Sequence, residues 1–226
     1  MQTDIHWNKW LHLIYTKVAS FCPLGSSKRG KPPLCLLVFD LLLAEFANLG
    51  HELFRTTQET YPIAFVPGDV FDPDHLEVVP PAASALTSTG GSPSGPAPDL
   101  HSLTSLNPLH GRVFAIHASA FFHLFDEEKQ LHVARALAGL LSPEPGSVIF
   151  GLQVGPFADE KGFGRGDYGT WCHSPESWTQ LWDGVVFEKG VVNVRTTLVH
   201  AERKYAAPNA PQNATLTVLV WSVTRL

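Results

Sequence analysis

Two aspartates stand just after short apolar runs, and two histidines flank a patch of small residues. Asp40 ends the run LLVFD, and Asp69 follows IAFVPG in the turn GDVFDP. A carboxylate at the carboxyl end of a buried strand is placed to accept hydrogen bonds from both hydroxyls of a ribose. Asp69, with the backbone of Val70, has the pairing needed for an adenine: an acceptor for its amino group and an amide for a ring nitrogen. The plainer readings are a loop acid or helix cap for Asp40 and a Gly-Asp turn former for Asp69. His117 and His123 bracket Ala118, Ser119 and Ala120 in RVFAIHASAFFHLF, residues 112–125. Small side chains at a strand mouth let a ligand approach the backbone. His123 has the chemistry of a general base or a substrate-orienting group, or of a core histidine bonded to a carbonyl. Phe121, Phe122 and Phe125 suit an apolar pocket or packing under the next helix.

The elements that hold these residues follow from periodicity. The continuous apolar run 34–39 reads as a buried parallel strand, and Ile63–Val66 as a second. Residues 112–118 form a third. Asp126 then caps a helix with Glu127 and Glu128 in its first turn, where the helix dipole favours anions. Leu131, Ala134, Leu137, Ala138 and Leu141 make its buried stripe, and SPEPG, residues 142–146, stops it. Residues 147–154 form the next strand. Ser174-Pro175-Glu176 opens a second helix with proline at its first position. VVNVRTTLV, residues 191–199, and the final run 215–223 follow without a helix between them and read as an antiparallel pair at the sheet edge.

Composition narrows the class. The 226 residues are 44% hydrophobic and 16% charged, with a formal net charge of −5. A sizeable core is expected, and a nucleic-acid surface is not, because phosphates call for a basic patch. Cys22, Cys35 and Cys172 are too scattered for a disulfide framework or a zinc site. The apolar run 34–46 carries Asp40 and Glu45 and is too short for a bilayer span. No secretory leader pattern is visible. A soluble cytoplasmic protein with no membrane partner is the expectation, with its oligomeric state left open. Residues 1–33 read as an amphipathic helix, 4–21, and a loop. Residues 34–226 read as one domain carrying a flexible Pro/Ala/Ser/Gly insertion at about 79–100. Pro156–Gly169 reads as a mobile loop.

Several enzyme classes lack their motifs: there is no GxSxG, no HExxH and no GxxxxGK[ST]. A different set of fragments carries a resemblance. AEFANLGHELF, FVPGDVFDP, LTSLNPLHGRVFAIHASAFFHLFDEEKQ, LLSPEPGSVIFG, WCHSPESWTQLW and VLVWSVTRL together resemble the fungal class I methyltransferases of terpenoid and meroterpenoid biosynthesis, over residues 38–226. The resemblance implies an α/β, Rossmann-like sheet, mostly parallel with an antiparallel C-terminal edge strand. It implies S-adenosyl-L-methionine as cofactor and a small-molecule carboxylate or hydroxyl as methyl acceptor. By the same resemblance Asp40 would hold the ribose, Asp69 and Val70 the adenine, and His117 and Ala118 the methionine part. Phe121, Phe122 and His123 would face the methyl group and the acceptor, with His123 the catalytic candidate. The family's glycine-rich stretch, hydrophobic-Asp-hydrophobic-Gly-x-Gly-x-Gly, has no counterpart before Leu34, where only Gly25 and Gly30 occur. The sheet is therefore expected to lack its first strand. The alternative expectation is a methyltransferase-like scaffold unable to hold cofactor.

Overall fold

The structure is a computed structural model. It describes residues 52–57, 59–60, 64–82, 98–156, 171–201 and 216–226, with the two-residue strands Leu37–Val38 and Gly164–Arg165. Asp40, the N-terminal segment 4–21, most of the expected helix 44–55 and most of the insertion lie outside the described residues. Eight strands are described. They are β1 (Leu37–Val38), β2 (Ala64–Phe65), β3 (Ala115–His117), β4 (Val148–Val154), β5 (Gly164–Arg165), β6 (Trp171–Cys172), β7 (Val192–Ala201) and β8 (Leu216–Arg225). Helix α1 spans Glu127–Leu140 and α2 spans Pro175–Trp182.

The principal sheet has the order β3-β4-β8-β7. β3 and β4 pair in parallel across α1, with Ala115, Ile116 and His117 opposite Val148, Ile149 and Phe150. β8 then pairs antiparallel with both β4 and β7. β1 and β2 form a separate parallel pair, and β5 and β6 a short antiparallel one.

Two expectations are corrected here. The four-stranded sheet is mixed, with one parallel and two antiparallel pairings, rather than mostly parallel. The C-terminal strand is also not at its edge. β8 lies between β4 and β7, and Leu219, Trp221 and Val223 on one of its faces are all buried. β7 takes the edge and exposes Asn193, Arg195 and Thr197. A third difference concerns 156–169, expected as a loop. It contains β5, which pairs with β6 through Gly164↔Cys172 and Arg165↔Trp171.

The helices form where their end signals and apolar stripes agree. The Asp126 carboxylate accepts from the Lys129 amide at 2.9 Å, closing the α1 cap. Ala134, Leu137, Ala138 and Leu141 are buried as the stripe requires, joined by Val133, Ala136 and Leu140, while Leu131 is half-buried. At α2 the Ser174 and Ser177 side chains cap reciprocally, with Pro175 at the first helical position. Both helices pack into one core with Ile116, Ile149, Leu219, Trp221 and Val223. The centre of that core is aromatic. The Phe122 ring lies 4.9 Å from Trp178, 6.1 Å from Trp182 and 5.7 Å from Trp221.

Gly151 of β4 lies close against the backbone just after β3. A methyl group there would collide with the Ala118 carbonyl oxygen and lie 2.7 Å from its carbon. Gly151→Ala is expected to destabilise the fold by about 1–3 kcal/mol, the usual cost of overpacking. Urea unfolding would show it as a lower midpoint at unchanged slope.

Candidate active site

Ligands of open α/β sheets sit beyond the carboxyl ends of parallel strands. In this chain that position is the turn after β3. The ladder with β4 runs past the strand proper: the Ala118 amide donates to Phe150 O at 2.9 Å, and the Ala120 amide to Leu152 O at 2.6 Å. Ala120 then takes φ +51°, a left-handed conformation disfavoured for any residue with a Cβ. The reversal sends the chain into a 3-10 turn, Phe122–Leu124, and on to the α1 cap. Strain of this kind concentrates at ligand-binding turns. Ala120→Gly is expected to leave stability unchanged or raise it by up to about 1 kcal/mol, since glycine adopts this conformation freely. Thermal unfolding of that single variant checks it.

The residues singled out by sequence go to different places. Ala118 is buried on the helix side of the sheet. His117 points to the opposite face, as strand alternation requires. Its ring stacks on Phe150 at 4.9 Å, and its Nε2 lies 2.6 Å from Ser119 Oγ. Ser119 Oγ also accepts from the Leu152 amide at 3.3 Å. The face that His117 joins carries a shallow hollow of about 540 Å³ lined also by Phe150, Arg195, Thr197 and Val220. The hollow extends to Val148, at the far end of the parallel pair. It is a sheet face and not the strand mouth.

Phe121 and Phe122 are both buried. Phe122 sits within the tryptophan cluster, where its role is packing, while Phe121 turns toward Phe125, ring to ring at 5.3 Å. His123 is half-buried beside them.

Asp69 and Val70 come from the turn after β2. Val70 is buried and Asp69 is exposed. Asp69 Oδ1 accepts from the Phe71 amide at 2.9 Å, closing an Asx turn. Phe71, which the sequence reading passed over as part of a turn, ties this turn to the β3 mouth. Its ring meets Phe125 at 5.1 Å and His132 at 5.3 Å, and Lys129 Nζ lies 5.6 Å over it. Phe71, Phe125 and Phe121 thus connect the Asp69 turn to the turn at Ala120. An aromatic two residues after a turn aspartate is the signal that could have found it.

Two buried histidines were also missed as site neighbours. His75 closes the Asp69 turn and has its pKa lowered by burial, opposed by the charges of Asp72 and Asp69. His173, before α2, is lowered by burial to about 4. Its Nδ1 lies 3.0 Å from Ser177 Oγ, and its ring packs 5.2 Å from Trp178. Among the described residues no group of three or more His, Cys, Asp or Glu side chains has the arrangement of a metal site.

No family model matches the sequence. The chain is 32% identical over 146 residues to the O-methyltransferase phiE of a fungal species, an overlap of 64% of this chain and 39% of that protein. It is 38% identical over 89 residues to the Asnovolin E/Chermesin D methyltransferase nvfJ of Aspergillus novofumigatus, covering 38% of this chain and 31% of the relative. It is 29% identical over 179 residues to the methyltransferase ausD of Penicillium brasilianum, covering 75% and 53%. The matches span between about a third and a half of the length of these curated relatives. The chain is related to the fungal methyltransferases of secondary metabolism, of the meroterpenoid type.

Proposed function

We propose that the chain carries an S-adenosyl-L-methionine site and transfers a methyl group to a carboxylate or hydroxyl oxygen of a small terpenoid-like molecule. The observation that carries this reading is the juxtaposition of the Asp69 turn with the strained turn after β3, through Phe71, Phe125 and Phe121. The residues present suit the cofactor. Asp69 is exposed, with a carboxylate to accept from the adenine amino group, and Val70 is next to it in the turn. The small side chains of Ala118 and Ala120 leave the backbone approachable. Asp40 is proposed for the ribose hydroxyls. His117 is proposed beside the methionine part through its backbone, since its ring is turned to the other face.

When bound, the cofactor supplies an electrophilic methyl group on a sulfonium. The chain's part is alignment and exclusion of water, which for such a transfer matters more than acid-base chemistry. Phe121 supplies apolar cover, and His123 orients the acceptor. A carboxylate acceptor is already a nucleophile and leaves no proton to remove. A hydroxyl acceptor would pass its proton to His123.

Asp69→Asn tests the adenine contact. Asparagine preserves the Asx turn but puts an amide where the carboxylate oxygen would accept. Affinity for S-adenosylhomocysteine is expected to fall roughly tenfold, about 1.4 kcal/mol, with the melting temperature unchanged. Equal affinity in the two proteins would remove Asp69 from the site.

A second reading is a methyltransferase-like scaffold that does not hold cofactor. It is favoured by one feature: among the described residues, no strand joins the β1-β2 pair to β3. It predicts no melting shift with S-adenosylmethionine.

A further inference from the structure

The turn that carries Asp69 leaves β2 at Gly68 and returns at His75, and these two residues touch. A Cβ on Gly68 would fall into the His75 ring, against Nδ1, Cγ and Cε1. His75 is 5% exposed. Its amide donates to Asp72 O at 3.0 Å, and its carbonyl accepts from the Leu106 amide at 2.8 Å. Its Nε2 is buried with no hydrogen-bond partner. Within the loop, Asp69 and Asp72 each close an Asx turn, onto Phe71 and Asp74 at 2.9 Å. From outside, Asn107 Nδ2 donates to Pro73 O at 2.9 Å and Asp74 O at 3.2 Å, and Asn107 Oδ1 accepts from the Glu77 amide at 2.7 Å. The far side of the loop is therefore clamped by Asn107, while its neck combines the ring-on-backbone contact with the backbone bonds of His75 to Asp72 and Leu106.

We infer that the Gly68–His75 contact is the latch that sets the Asp69–Val70 turn, and that His75 is a positioning residue for adenosine recognition. The inference rests on the cofactor reading above and adds to it a residue that does not touch the cofactor. Only glycine fits at 68 because the ring takes the place of its side chain. The ring, in turn, fixes where the turn leaves the strand and so where the Asp69 carboxylate and the next amide stand. Burial lowers the pKa of the imidazole, opposed by the charges of Asp72 and Asp69.

The test is a double-mutant cycle on the full chain with Gly68→Ala, His75→Ala and the pair, plus His75→Phe. Dissociation constants for adenosine and for S-adenosylhomocysteine are measured by calorimetry at a temperature where every variant is folded. Amide hydrogen exchange is followed at residues 70–72. Gly68→Ala is expected to weaken both ligands by the same factor, roughly tenfold, and to speed exchange in the turn. In the His75→Ala background, Gly68→Ala should cost almost nothing, because the ring it collides with is gone. His75→Phe keeps the ring and should restore affinity to within about twofold, since the replaced nitrogen has no partner. Independent, multiplying effects of the two substitutions would overturn the latch. So would unchanged affinity and exchange alongside a lowered melting temperature, which is what a packing role alone produces. Absence of saturable ligand heat from the unmodified chain would instead sink the cofactor reading. The exchange and melting cycles would still decide whether the latch exists.

Discussion

Replacing Trp178 with alanine is expected to cost about 3–5 kcal/mol of folding stability, the range for removing a large buried aromatic. Trp178 is completely buried. Its ring lies 4.9 Å from Phe122, 4.9 Å from Trp221, 5.8 Å from Trp182 and 5.2 Å from His173. It joins α2, the turn after β3 and the interior strand β8. The loss includes both its transfer free energy and the cavity left between elements too far apart in sequence to collapse locally. A domain with stability in the usual 5–15 kcal/mol range would keep little of it. Urea unfolding checks this directly. The loss should be cooperative with that of Phe122→Ala, so that the double variant costs less than the two singles added together.

Acid should remove stability through His173. Burial lowers its pKa from 6.5 to about 4, so the folded state binds a proton less readily than the unfolded one. The sign follows: its contribution is complete above pH 6.5 and is lost as pH falls from there toward 4. A shift of this size corresponds to on the order of 3 kcal/mol. The ring is 5% exposed, and Ser177 Oγ at 3.0 Å from Nδ1 holds it in place, so screening by solvent is slight. His75 is shifted in the same direction, against opposing charges, and adds to the trend. Unfolding free energies at pH 7 and pH 4.5 are the measurement, with His173→Gln as control. That substitution should flatten the difference, and an equally steep profile would assign it to other groups.

The helices were the most legible part of the fold. Asp126 followed by two glutamates and a 3.6-residue stripe specifies α1 by local chemistry alone. The same holds for Ser174-Pro175 at α2. Strand neighbour order was not legible. Alternation tells which face of β8 is buried, but not which strand lies beside it, so its place between β4 and β7 was read as an edge. In the site, Asp69 and the small residues 118–120 stood out because their types are unusual directly after apolar runs. The facing of His117 was also available, since a residue adjacent to buried Ala118 on a strand must point the other way. Phe122 was harder. An aromatic in FFHLF has the same pattern whether it lines a pocket or fills a core, and only its contact with Trp178 and Trp221 decides. His75 was invisible for another reason. Its contact with Gly68 exists only once the six residues between them, 69–74, have closed into a loop, and no periodicity records that.

The account rests on the chain having a cofactor site, and a titration of the folded protein with S-adenosyl-L-methionine tests it most directly. Saturable heat with one site per chain is predicted, at a dissociation constant below about 1 mM, equivalent to at least about 4 kcal/mol of binding free energy. No saturable heat at millimolar cofactor, from protein shown to be folded by a cooperative melt, would contradict it.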